Sequence, residues 1–301
     1  MRMHADELHT DVPLVRRLLA GQFPHWADLP LERVPSSGTD NALYRLGDDM
    51  VVRLPRIHWA VGAVDKDIRW LPSLAPLLPV AVPVPLAKGA PAEGYPWDWG
   101  IYPWLEGENP DVDRIAGTDS VTTDVTRFVE ALHRIDPTGG PPARRGAPLE
   151  VQDDEARAAL PALRGTIDTR AATAVWDAAL RTPAWSGPPV WIHGDLLPGN
   201  LLFQRGRLTG VIDWGGVGVG DPACDLIVAW ALLPPDARDR FRAELGVDDA
   251  TWARGRGWAL SIGLIALPYY KETNPGLAAT ARHLIREVLA DHHGSGSDPG
   301  S

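Results

Sequence analysis

Between Trp191 and Asp225 the chain reads WIHGDLLPGNLLFQRGRLTGVIDWGGVGVGDPACD, and no other stretch limits the fold as strongly. His193, Asp195, Asn200 and Asp213 stand there in fixed order. Asp195 falls in a turn rich in Gly and Pro between apolar segments. Asn200 opens a strand-like Leu201-Leu202-Phe203, and Asp213 closes a second apolar strand, Val211-Ile212. A hairpin of this kind brings Asn200 and Asp213 to one rim. One carboxylate to orient and deprotonate a hydroxyl, plus oxygen ligands for Mg²⁺, is a workable layout for phosphoryl transfer. That reaction asks for positioning and charge stabilisation more than covalent chemistry. Mg²⁺ keeps several waters, so two protein ligands and phosphate oxygens suffice. Taken singly, each residue has a plainer reading: Asp195 closes a turn, and His193 is a hydrogen-bonded core histidine. The combination is what carries the chemistry.

The rest of the chain divides into a strand-rich first third and a helix-rich remainder. Thr10 to Gly21 predicts a helix capped by Thr10 or Asp11, with Pro13 in its first turn. A strand-like stretch precedes Ser36. Ala42 to Leu46, the turn Gly47-Asp48-Asp49, and Met50 to Leu54 predict a hairpin. Val61 to Leu74 predicts a short helix whose end Pro72 and Pro76 limit. Two more strands are expected at Val82 to Pro85 and Trp97 to Tyr102, separated by a turn over Lys88 to Pro96.

Periodicity is lost over Trp104 to Pro110, which places a lobe boundary there: residues 1–105 form an N-terminal lobe and 106–301 a helical one. Val121, Val125, Phe128, Val129, Leu132 and Ile135 then form an apolar stripe on a helix from Ser120 to Ile135. Thr138 to Pro148 is a loop of Pro, Gly and Arg. Helices follow at Asp153 to Leu163, at Thr169 to Leu180, and from Pro222 onward, the last from Leu277 to Ala290. The polar tail from His292 is expected to be disordered. The order predicts an α+β protein in two lobes, with the crevice between them as the ligand site.

Composition narrows the partners. The 29 Lys and Arg against 39 Asp and Glu give a net charge of -10, with no basic stripe, so nucleic acid is not expected as a partner. No apolar run reaches a membrane span, and the N-terminus lacks the apolar core of a signal peptide. With the single Cys224 there is no internal disulfide, which suits the cytoplasm. Oligomeric state is not fixed by any of these features.

HGDLLPGN followed by VIDW closely resembles the H-G-D-x-x-x-x-N … I-D signature of aminoglycoside phosphotransferase-like kinases, which share the protein-kinase fold. Other segments are similar to theirs. Ser36 to Asn41 resembles a shortened nucleotide loop, Trp104 to Gly107 the segment after the hinge, Asp221 to Leu226 the element under the catalytic loop, and Arg256 through Tyr270 a substrate-side helical region.

The resemblance implies a bilobal fold with an interlobe nucleotide cleft. It also implies transfer of the γ-phosphate of ATP or GTP to a hydroxyl of an aminoglycoside-like or other small molecule. Asp195 would be the catalytic base, Asn200 and Asp213 the Mg²⁺ ligands, and His193 and Asp225 supports of the loop. Ser37, Gly38, Thr39, Arg53, Asp67, Tyr102 and Trp104 would line the nucleotide site. Arg53 stands where the family carries Lys or Arg, and Asp67 where the pairing acid is usually Glu. The longer cation and shorter acid would compensate in reach. Only Trp214 to Gly220 separates Asp213 from Asp221, too little for a peptide-docking activation segment. A metabolite kinase of macrolide, homoserine or choline type is the alternative. A regulatory pseudokinase is a further one, against which the presence of Asp195, Asn200 and Asp213 counts.

Overall fold

The computed structural model describes residues 7–35, 38, 40–112 and 119–295. Helix α1 (Val12–Gln22) opens on Asp11, whose carboxylate accepts from the Leu14 amide at 2.8 Å, and it buries Val15, Leu18 and Leu19. Against it lies an antiparallel five-stranded sheet, in the order β1-β2-β3-β5-β4. Its strands are β1 (Leu31–Arg33), β2 (Asn41–Leu46), β3 (Met50–Pro55), β4 (Ala87–Gly89) and β5 (Trp99–Pro103). Strand β3 alternates, with Met50, Val52 and Leu54 buried and Val51 and Arg53 on the other face. That period of two turns Arg53 away from the α1 side of the sheet.

Helix α2 (Ala63–Leu74) sits between the two halves of the molecule. Its Leu71 and Leu74 join the core of the helical lobe rather than the core under α1. The Trp70 ring packs 5.2 Å from that of Trp191. The Lys66 ammonium donates to the Gly215 carbonyl at 2.9 Å. The second lobe consists of α3 (Asp119–His133), α4 (Asp153–Ala159), α5 (Thr169–Leu180), α6 (Ile227–Ala231), α7 (Pro235–Leu245), α8 (Asp249–Tyr270) and α9 (Pro275–Ser295). Two ribbons lie on it, β6 (Val190–Ile192) with β9 (Gly218–Gly220), and β7 (Leu201–Gln204) with β8 (Arg207–Val211). The chain leaving β5 docks on β7 through Glu108 and Phe203, which exchange backbone hydrogen bonds of 3.0 and 2.9 Å.

The strand-rich first part and helical remainder are thus present, with several local differences. The expected strand at Val82 to Pro85 is irregular and the strand is instead Ala87–Gly89, running into the start of the expected turn. Pro83 and Pro85 lack the amide a ladder needs. Pro72 does not limit α2 but lies within it, near its end. The helix from Asp153 stops at Ala159 and tightens into a 3₁₀ turn around Pro161. The last helix runs on through His292 to Ser295, so the disordered tail does not begin where expected; residues 296–301 lie outside the described residues. The ribbon partner β9 was not foreseen, because its Gly-Val-Gly sequence carries little strand propensity.

Leu71→Ala is expected to cost about 2–5 kcal/mol, since the side chain is fully enclosed where α2 meets the helical lobe. Ile68→Ala, on the exposed face of the same helix, is expected to stay within about 0.5 kcal/mol of the parent. Urea unfolding midpoints of the two variants check the contrast.

Candidate active site

The turn after β6 is built by one buried carboxylate. Asp225, with no solvent exposure, accepts from the amides of His193 (3.0 Å) and Gly194 (2.8 Å), and His133 Nε2 lies 3.3 Å from it. Gly194 has a φ of 81°, in the region where a side chain would be strained. The His193 ring is fixed at both nitrogens. Its Nε2 faces the Ile212 carbonyl at 3.0 Å, and its Nδ1 accepts from the Asp195 amide at 3.2 Å. These partners assign the ring proton to Nε2, and the buried histidine thereby ties the Asp195 turn to the end of β8.

Asp195 follows with its side chain 28% exposed. Asn200 Nδ2 donates to the Asp195 carbonyl (2.8 Å) and to Oδ2 of its carboxylate (2.9 Å). The other carboxylate oxygen is held by Arg145. The Ile212 amide donates to the Asn200 carbonyl at 2.9 Å, so the β7–β8 ribbon sets Asn200 beside the residue preceding Asp213. The ribbon is itself anchored. Asp124 on α3 takes both ends of the Arg207 guanidinium at 2.7 Å and the Leu208 amide at 3.2 Å. Asn109 in the connection from β5 donates to the carbonyls of Gly199 (2.8 Å) and Leu201 (3.0 Å), fastening that connection to the turn around Asn200.

Across the cleft, Arg53 reaches Asp213 at 2.6 Å and Asp67 at 3.7 Å, within ion-pair reach of both. Asp67 is 1% exposed and also accepts from the Tyr102 hydroxyl at 2.9 Å. Burial pushes the Asp67 carboxyl above the usual range, offset only in part by Arg53 and Tyr102. Its Oδ1 has no hydrogen-bond partner. Asp213 has a left-handed backbone (φ 60°, ψ 66°), which Asp tolerates better than most residues. Its side chain remains 46% exposed. Desolvation alone would raise its pKa, but the Arg53 guanidinium, helped by the Gly215 amide, holds it below the ordinary carboxylate value.

Of the residues singled out in the sequence, Asp195, Asn200, His193 and Asp225 form one hydrogen-bonded unit, and Arg53, Asp67, Tyr102 and Asp213 form a second. Trp104 goes elsewhere: it lies under the Arg45 guanidinium at 4.0 Å and its amide bonds the Asp49 carbonyl. Tyr102 is buried, its hydroxyl committed to Asp67. Gly38 is exposed, while Ser37 and Thr39 lie outside the described residues. Sequence reasoning missed Arg145 and Asn109. Both sit in Pro/Gly-rich connections without periodicity, where only spacing to a partner far along the chain would give them away.

Of the residues singled out in the sequence, Asn200 and Asp213 are the pair to consider for a metal. Among the described residues there is no cluster of three or more His, Cys, Asp or Glu side chains suited to an ion. The pair offers a carboxylate and an amide oxygen, hard donors with a solvent-facing side. That suits Mg²⁺, which retains water and shares phosphate oxygens, better than a metal needing a full protein cage. Among the described residues no helix is long and apolar enough to cross a membrane.

An antiparallel sheet over a helical lobe, with a carboxylate, an amide and a guanidinium facing one crevice, is the architecture of a bilobal kinase-like phosphotransferase. A family model for the phosphotransferase enzyme family matches residues 32–258, and the chain belongs to that family. Its fold is similar to that of APH(2")-IIIa in complex with GDP and kanamycin, with a TM-score of 0.71 and 19% identity over 92% of this chain and 98% of that one. It is also similar to macrolide 2'-phosphotransferase MphH from Brachybacterium faecium, with a TM-score of 0.57 and 25% identity over 91% and 98% of the two chains. An aminoglycoside 3'-phosphotransferase of Escherichia coli is 37% identical over 78 residues, which are 25% of this chain and 29% of that protein. The stretch shared with that relative therefore spans less than a third of its length.

The folded Asp124 carboxyl is held below its ordinary value chiefly by Arg207, with the Leu208 amide contributing. A group depressed in the folded state stabilises above its unfolded pKa, about 4, and loses that contribution as pH falls through the folded value. Asp124→Asn is therefore expected to lower the urea midpoint near neutral pH and to flatten its decline below about pH 4. A series of urea melts across that range checks it.

Proposed function

We propose that the protein transfers the γ-phosphoryl group of ATP or GTP to a hydroxyl of a small molecule, with Asp195 as the general base. The observation that carries this reading is the pairing of Asp195 with Asn200, beside an Asp213 that Arg53 reaches from the opposite lobe. Arg53 would contact the nucleotide phosphates, held in register by Asp67 and Tyr102. Asn200, through the side-chain oxygen its amide donor leaves free, and Asp213 would hold Mg²⁺. When bound, that ion would neutralise phosphate charge. Asp195 would accept the hydroxyl proton as the new P–O bond forms and the bond to the β-phosphate oxygen breaks. His193 and Asp225 would act only through the loop they fasten.

A small acceptor is favoured over a protein. Between Asp213 and Asp221 the chain is spent on the short turn Trp214–Gly216 and on β9, which pairs with β6. Nothing in that interval extends to dock a peptide. Within the small acceptors we favour aminoglycoside-like molecules, because proteins named for that activity are among the relatives in both sequence and fold. Macrolides are the second reading, supported by the 25% identity to a macrolide phosphotransferase along nearly the whole chain.

Incubation with Mg²⁺ and ATP or GTP against a panel of aminoglycosides, macrolides and amino alcohols should give one acceptor a phosphate mass increment. No product, together with no nucleotide binding by calorimetry, would sink the reading. Asp195→Ala is expected to lower turnover by about 10²–10⁴-fold while sparing nucleotide affinity. Arg53→Met is expected to do the reverse, weakening nucleotide binding in calorimetry before it affects anything on the acceptor side. Full activity in Asp195→Ala would show that another group is the base.

A further inference from the structure

Both oxygens of the Asp195 carboxylate are engaged, and only one partner belongs to the catalytic turn. Asn200 takes Oδ2 at 2.9 Å. The Arg145 guanidinium takes Oδ1 and also donates to the Gly194 carbonyl at 3.0 Å. Arg145 comes from a different segment, the 3₁₀ turn Arg144–Gly146.

That turn is not a loose loop that happens to lie nearby. Its backbone is stitched to β9 and the residue after it. The Val219 amide donates to the Pro141 carbonyl (2.7 Å), the Ala143 amide to the Val219 carbonyl (3.0 Å), and the Asp221 amide to the Gly146 carbonyl (3.0 Å). Gly146 and Gly220 pack backbone to backbone: a Cβ on Gly220 would fall 2.5 Å from the Gly146 Cα. The neighbouring Arg144 points elsewhere, 80% exposed and 3.5 Å from Glu155. So the fold fixes the Arg145 backbone, and the side chain spans from there to the base. The Arg145 side chain as a whole is 38% exposed, not packed into the core, so it can turn aside when something better occupies Oδ1.

We propose that Arg145 is a specificity-determining residue that withholds Asp195 from water until an acceptor displaces the guanidinium. This rests on the phosphotransferase reading above. In the side reaction it suppresses, a water oxygen bonds to the γ-phosphorus and the bond from that phosphorus to the bridging β-phosphate oxygen breaks. The water proton passes to Asp195, leaving a nucleoside diphosphate and inorganic phosphate. Water arrives with a few hydrogen bonds and cannot pay for breaking a charge-assisted contact. A polyhydroxylated acceptor, anchored at many remote atoms, brings binding energy that can be spent on that displacement.

The test needs no knowledge of the acceptor. Nucleoside diphosphate release is measured with Mg²⁺ and ATP or GTP alone, alongside nucleotide affinity by calorimetry. Arg145→Met keeps most of the aliphatic stem and removes the charge. It is expected to raise acceptor-free hydrolysis about tenfold at unchanged affinity, the scale of one charge-assisted hydrogen bond. Arg145→Lys, with charge but no planar fork, should fall between the two. Adding Asp195→Asn to Arg145→Met should remove the extra hydrolysis.

Hydrolysis at or below the parent rate in Arg145→Met, with nucleotide still bound normally, overturns the proposal and leaves the phosphotransferase reading intact. Extra hydrolysis that survives Asp195→Asn overturns it too. If Arg145→Met does not fold, Arg145→Lys decides alone, and an unchanged rate counts against the proposal. A parent protein that binds no nucleotide overturns both.

Discussion

A fully buried carboxylate, Asp225, holds the Asp195 turn in place. Asp225 has no exposure, and its charge is answered by two backbone amides and the His133 ring. Such hydrogen bonds to a charged acceptor are stronger than neutral ones, and removing them would leave an anion in the interior at a cost of several kcal/mol. The turn that carries Asp225 is secured in the same way. Four residues earlier, Asp221 is paired with Arg254 of α8 at 2.6 and 3.2 Å, both side chains about 95% buried. Arg254 also donates to the Pro183 carbonyl and the Thr251 hydroxyl. A chain of directed contacts therefore runs from the helical core, through Arg254, Asp221 and Asp225, to the amides just before Asp195.

Helix α2 does the corresponding work across the cleft. Its one buried stripe presents Asp67 toward Arg53 and, a turn and two turns further on, buries Leu71 and Leu74 in the core of the second lobe. Lys66 adds a bond to the Gly215 carbonyl, two residues beyond Asp213. The acid that flanks Arg53 is thus positioned by the helical lobe while Arg53 is positioned by the sheet. Their relation reports how the two lobes sit together, and Asn109, bonded to the turn around Asn200, fixes the connection on the same side.

What could be read from the sequence follows from how local each signal is. The β2–β3 hairpin and helix α1 were legible because alternation, a turn triplet and an Asp cap act within a few residues. The Asp195 segment was legible because its spacing is short and unusual. Strand β9 and the reassigned β4 were not: each exists through pairing with a distant partner, Gly218 with Ile192 and Lys88 with Gly100. Arg145 was hidden for the same reason. Its position depends on two glycines 74 residues apart meeting backbone to backbone, which no local pattern encodes.

Position 53 shows why the identity of a cation matters as much as its charge. Arg53 serves three neighbours with one planar group. Its Nη2 goes to Asp213 at 2.6 Å and its Nη1 lies 3.7 Å from Asp67. With the Asn41 amide turned so that its carbonyl faces the guanidinium, that oxygen accepts from Nη2 and Nε at 2.9 and 3.1 Å. An ammonium is a compact point charge on a flexible stem and has no fork with which to hold this spread of acceptors at once. The short Asp67 side chain, which cannot come forward from its buried helix, is tolerable only because the guanidinium is broad enough to be drawn toward two carboxylates on opposite lobes. The pairing of a longer cation with a shorter acid is therefore one geometric solution, and replacing either partner alone with its commoner equivalent would leave the other out of reach or crowded.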